Sequence, residues 1–103
     1  MKYQLIIRPE AELDLVEAFQ WYEEQSPGLG GEFLRCIDAS FDIIIRSPGL
    51  YQKVYKDIRR ALPQRFPYGI FYIIDDNDLI VLAILHAKRD PKLLKEIRSK
   101  KED

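Results

Sequence analysis

Apolar and polar positions change period near residue 50, and that change divides the chain. Residues 3–7, "YQLII", form a short β-rich run closed by Arg8-Pro9 and predict a strand. From Pro9 the spacing becomes helical: Ala11, Leu15, Ala18, Phe19 and Tyr22 share one face, predicting a helix over about 9–25. Pro9 suits the first turn, where its missing N–H has no partner, and Glu10, Glu12 and Asp14 favour the positive helix end. "SPGLGG" (26–31) breaks the pattern and reads as a tight connection between antiparallel helices. Phe33, Leu34, Ile37, Phe41, Ile44 and Ile45 then line one side of a second helix, with Arg35, Asp38, Asp42 and Arg46 on the other. "SPG" (47–49) ends it.

Beyond residue 50 the apolar residues alternate or run continuously. "DIRRALP", "FPYGIFYII" and "LIVLAIL" predict three strands. Asp75-Asp76-Asn77-Asp78 joins the last two as an antiparallel hairpin. If 75 pairs with 78, residues 71, 69 and 67 oppose 82, 84 and 86. His86 would then share a face with Phe71 and Gly69, near the sheet end that holds Arg65 and Arg89. Pro91 resembles a helix start, and Leu93, Leu94 and Ile97 suggest a short C-terminal helix. The expectation is an α+β fold, β-α-α-β-β-β: a helical hairpin packed on a largely antiparallel curved sheet, then that short helix.

At 103 residues the chain is expected to form one domain, 1–103. Apolar residues at 47% and charged residues at 32% exclude a disordered or collagen-like chain. No apolar run approaches the roughly 20 residues of a bilayer-spanning helix. The N-terminus lacks the long apolar region of a secretory signal. A single cysteine, Cys36, fits a reducing compartment, so a cytoplasmic location is expected.

The net charge of −1 conceals polarity. Residues 1–50 hold four basic and nine acidic side chains; residues 51–103 hold twelve and eight. The basic groups cluster at Lys53, Lys56, Arg59, Arg60 and Arg65, and again from Lys88 and Arg89 onward. This suits an acidic partner, or simply solvates a small surface.

One His and one Cys far apart make no zinc set, and "GLGGEF" is not a phosphate loop. No metal, cofactor or small-molecule substrate is expected. Cys36 reads as a semi-buried thiol, and Asp75, Asp76 and Asp78 as turn residues. RNA cleavage through the 2′-hydroxyl needs a proton acceptor, a proton donor and positive charge on the phosphate. His86, Arg60, Arg65, Arg89 and Tyr68 would supply these if they converged. Against this stands a strand-end histidine that packs on Phe71, or one that orders an interface. Trp21 lies on the helical wheel beside Glu10, Asp14 and Glu17, off the core face; it is either a partner anchor or packed on a neighbouring element.

Three stretches carry a resemblance: "PEAELDLVEAFQWYEEQ", "SPGLYQKVYKDIRRALPQRFPYGIFYII" and "VLAILHAKRDP". In this order they resemble the RelE/ParE superfamily of type II toxin–antitoxin toxins, and within it the ParE-like branch, also called plasmid stabilisation proteins. The resemblance implies a toxin neutralised by a cognate antitoxin in a hetero-oligomer. ParE-like members inhibit DNA gyrase by binding, whereas RelE-like members cut messenger RNA on the ribosome. RelE-like nucleases carry a basic residue after the strand tyrosine, where this chain has Gly69, and many end in an aromatic residue that this tail lacks. A pI near 5.9 is also low for docking into ribosomal RNA. Gyrase is therefore the expected target, with Arg60, Arg65, His86, Lys88 and Arg89 as its binding residues. The antitoxin is expected to be an acidic, largely disordered segment that folds over the helical hairpin, touching Leu13, Val16 and Trp21.

Overall fold

A computed structural model describes residues 2–87 and Glu96. Strand β1 (Gln4–Ile7) leads into helix α1 (Pro9–Gln25) and helix α2 (Leu29–Arg46). Four strands follow: β2 (Lys53–Tyr55), β3 (Ile58–Ala61), β4 (Tyr68–Asp75) and β5 (Asp78–His86). The sheet order is β1-β5-β4-β3-β2, with β1 parallel to β5 and every other pairing antiparallel. The α+β expectation therefore holds, with one more strand than the sequence pattern predicts. That strand, β2, is three residues long and lies at the sheet edge, too short to show an alternation. Of the expected C-terminal helix only Glu96 is described, and it is helical; the remainder, with Lys88 and Arg89, lies outside the described residues.

Both helices pack on one face of the sheet. Ala11, Ala18 and Tyr22 of α1 and Phe33, Ile37, Phe41 and Ile44 of α2 are buried against Ala61, Ile70, Tyr72, Leu79, Val81 and Ile84. The helices approach closely at Gly30, where a Cβ would stand 2.8 Å from the Phe19 ring and from the Phe19 carbonyl oxygen. Only glycine fits there. Gly28, at φ 88°, turns the chain between the helices. The Glu23 carboxylate accepts the Gly28 and Gly30 amides at 2.9 and 3.0 Å, so a side chain of α1 caps the N-terminus of α2. At the other end of α2, the Tyr72 hydroxyl donates to the Pro48 carbonyl at 2.6 Å, tying the loop to the sheet. Burial pushes the Tyr72 pKa up to about 12, with Arg59 opposing and Tyr51 adding to the rise.

The β4–β5 hairpin keeps the expected Asp75–Asp78 pairing, and Asp76 makes the turn at φ 54°. Tyr72 pairs with Val81, but Phe71 pairs with Ala83, so Leu82 is an inserted bulge residue. From there every partner moves by one: Ile70 faces Ile84, Gly69 faces Leu85 and Tyr68 faces His86. The expected pairing of 71, 69 and 67 with 82, 84 and 86 is thereby corrected. One inserted residue reverses which face each later side chain meets. His86 stands on the helix-covered face beside Tyr68, whereas Phe71 lies on the opposite face with Ile58, Ile73, Leu82 and Ala83.

Candidate functional site

The bulge places His86 at the end of a chain of aromatic rings. Its imidazole meets the Tyr68 ring at 5.3 Å between centroids, edge-on at 77°. Tyr68 in turn contacts Phe33 at 5.2 Å and Tyr22 at 6.0 Å, and both of these meet Phe66. Trp21 closes the series, edge-on to Tyr22 at 5.0 Å. Such edge-to-face pairs contribute about 0.5–1.5 kcal/mol each beyond area burial, so the cluster gives His86 a rigid base. Burial raises the Tyr22 pKa, and neighbouring Tyr68 raises it further. Packing of His86 on a ring is thus confirmed in kind, with Tyr68 in place of Phe71.

Between α1 and the end of β5 lies a cleft of about 200 Å³ lined by Asp14, Glu17, Trp21, Tyr68 and His86. One Asp14 oxygen, Oδ2, accepts the Ile84 amide at 2.9 Å, which holds that carboxylate against the strand. No lysine or arginine among the described residues lines this cleft.

Of the expected basic residues, the two that are described, Arg60 and Arg65, do not meet there. Arg60 pairs across the ladder with Phe71, on the opposite face of the sheet, with its stem over Gly69. A Cβ at position 69 would come within 3.1 Å of Arg60 Cγ and Cδ, so Gly69 makes room for that stem. Arg65 occupies the β3–β4 loop at φ 75° and binds the Glu32 carboxylate of α2 at 3.0 Å, its guanidinium 5.8 Å from the Phe66 ring centre. Arg59, not among the candidates, donates to the Tyr51 carbonyl at 2.6 Å and serves the fold. Arg65, Tyr68 and His86 share one end of the sheet; Arg60 and His86 lie on opposite faces.

The three apolar candidates of α1 are all outward: Leu13 is 62%, Val16 51% and Trp21 54% exposed. Two of them line separate depressions. Val16 joins Leu15, Phe19, Gln20 and Leu34 in an apolar groove of about 300 Å³ between the helices, whereas Trp21 belongs to the cleft beside His86. Sequence reasoning missed the parts played by Asp14, Glu17 and Phe66. The helical spacing of Asp14, Glu17 and Trp21 already grouped them, but the bulge that brings His86 to them left no signal in a continuous apolar run. Among the described residues no three His, Cys, Asp or Glu side chains are placed to hold a metal ion, and no helix is long and apolar enough to cross a membrane.

Comparison with known proteins agrees with this architecture. The profile of the family described as "ParE toxin of type II toxin-antitoxin system, parDE" matches residues 5–91. Toxin ParE2 of Mycobacterium tuberculosis is 26% identical over 92 residues, covering 88% of each chain. A chain from the chromosomal ParDE TA system of P. aeruginosa superposes with a TM-score of 0.76 at 13% identity, over 84% of this chain and 98% of that one. A chain of the toxin–antitoxin complex RelBE2 of Mycobacterium tuberculosis gives a TM-score of 0.55 at 17% identity, over 84% and 99%. At these identities the two structural likenesses speak to the fold alone.

Proposed function

The chain belongs to the ParE toxin family of type II toxin–antitoxin systems, and from that premise we propose that it inhibits DNA gyrase by binding and is neutralised by a cognate antitoxin. A cytoplasmic site of action follows from that target. The observation that carries the choice of binding over RNA cleavage is the surroundings of His86. Its cleft is walled by Asp14 and Glu17, with no cation from the described residues. A scissile phosphate brought there would meet two carboxylates where attack by the 2′-hydroxyl needs compensating positive charge. Arg60 is on the other face, and Arg65 does not line the cleft.

In this reading His86, seated on Tyr68, orders the end of β5, and Arg60, Arg65, Lys88 and Arg89 supply positive charge toward the target. Leu13, Val16 and Trp21 supply apolar area toward the antitoxin, which completes a hetero-oligomer. The purified protein is expected to inhibit gyrase supercoiling, and His86→Gln to weaken inhibition only modestly. Supercoiling unchanged at large molar excess of toxin would refute the proposal.

One feature favours a second reading, a ribosome-dependent endoribonuclease. Tyr68 and His86 stand side by side at the sheet end, two groups able to carry a proton. Primer extension on translated message decides it: cut transcripts after induction, reduced about 100-fold or more by His86→Gln, would establish general acid–base chemistry.

A further inference from the structure

Helix α1 is charged in one sense only. Between Pro9 and Gln25 it carries six carboxylates and neither Lys nor Arg. Trp21 shares two depressions with four of these carboxylates. On one side of it is the cleft with Asp14 and Glu17, backed by the Tyr68 and His86 rings. On the other is a wider depression shared with Glu17 and Glu24, and with Glu23, whose carboxylate already caps α2. A half-exposed indole with carboxylates on both sides suits a planar cation. The negative face of the ring attracts it, and a guanidinium can stack on the indole while donating in a fork to a carboxylate. An ammonium would gain the charge interaction without the stacking and fork. An acidic segment, as expected from sequence, would be repelled along this side of α1.

Resting on the reading of the chain as an antitoxin-neutralised toxin, we infer that the Trp21 cleft seats an arginine side chain of the antitoxin. The part of the antitoxin that covers α1 is then locally basic, whatever its overall charge. Seating this arginine brings the antitoxin against the His86 wall, so neutralisation covers the residue that orders the end of β5.

The chain has one tryptophan, so 5-fluorotryptophan labelling of the full-length toxin gives a single fluorine resonance that reads this cleft. Two probes are titrated, acetyl-arginine methylamide and its neutral isostere acetyl-citrulline methylamide. The arginine compound is expected to shift the resonance with an affinity of about millimolar order, and citrulline to bind at least about tenfold more weakly. Glu17→Gln, an exposed position, should weaken the arginine response several-fold while circular dichroism stays unchanged. Forming the complex with unlabelled, co-expressed antitoxin should shift the resonance and abolish its response to the arginine compound. No shift with arginine up to about 100 mM, an equal shift with citrulline, or a complex in which the resonance keeps its free position and arginine response, would overturn the assignment. Toxicity on induction without antitoxin is scored separately. Harmless expression would remove the toxin reading and leave the fluorine result to stand on its own.

Discussion

Helices α1 and α2 are nearly equal in length, 17 and 18 residues, and pack on the same face of the same sheet, yet they divide their apolar residues differently. α2 turns Phe33, Ile37, Phe41 and Ile44 inward and exposes charges of both signs at Arg35, Asp38, Asp42 and Arg46. α1 buries two alanines and Tyr22, and leaves Leu13, Val16 and Trp21 outward among carboxylates of one sign. An exposed Leu or Trp gains little for folding, because water still reaches it. The contrast shows that α2 commits its apolar residues to the core, while α1 leaves much of its apolar area exposed, on the face proposed above for the antitoxin.

Substitutions can break that contrast or sharpen it. The largest effect is expected at Phe33, fully buried in α2 and in contact with Tyr22, Phe66 and Tyr68. Phe33→Ala should cost about 3–5 kcal/mol in urea unfolding, enough to leave a marginal domain largely unfolded. A cost near that of a surface change would show that α2 is not the core helix described.

Glu23→Ala tests the link between the helices, since this α1 carboxylate accepts two amides at the start of α2. Loss of about 1–2 kcal/mol is expected by chemical denaturation, as for removal of a capping group. Tyr72→Phe removes the hydrogen bond that holds the end of α2 and should cost about 1 kcal/mol at neutral pH.

Tyr72 also carries a pH signature. Its folded pKa is raised from 10 to about 12, so the folded state favours the neutral phenol. The stability linked to this shift is fully present below pH 10 and is lost as pH rises toward about 12. Denaturation midpoints measured across that window should fall more steeply for the native protein than for Tyr72→Phe. Parallel curves would contradict the assigned burial.

The smallest effect on stability belongs to α1's outer face. Leu13→Ala and Val16→Ala are each expected to change unfolding by no more than about 0.5 kcal/mol. The same changes should weaken antitoxin binding measurably by calorimetry, the reverse of the Phe33 pattern. Stability losses as large as those in α2 would dissolve the distinction.

Much of this was legible before any coordinates. The bounds of α1, the inward face of α2 and the Asp75–Asp78 turn follow from local signals: a proline at a first turn, helical spacing, and residues that favour turns. The outward position of Leu13, Val16 and Trp21 follows in the same way, since a helical wheel needs no partner to be drawn. The RelE/ParE resemblance, carried by three stretches, led to the family that the profile match established.

The site was less legible than the helices. Residues 79–85 are apolar throughout, so nothing in their order marks where an extra residue enters the ladder. The insertion is chosen by packing, which puts both Leu82 and Ala83 on the face of Phe71. It alone decides that His86 meets Tyr68, Asp14 and Trp21, and that Arg60 lies on the other side. The parallel docking of β1 against β5 was equally unreadable, because its partners are more than 70 residues apart. The order of residues fixes features set by neighbours within a turn or two, where spacing and propensity act. Register, face and the company of the single histidine belong to contacts between distant residues, whose energies no local pattern records.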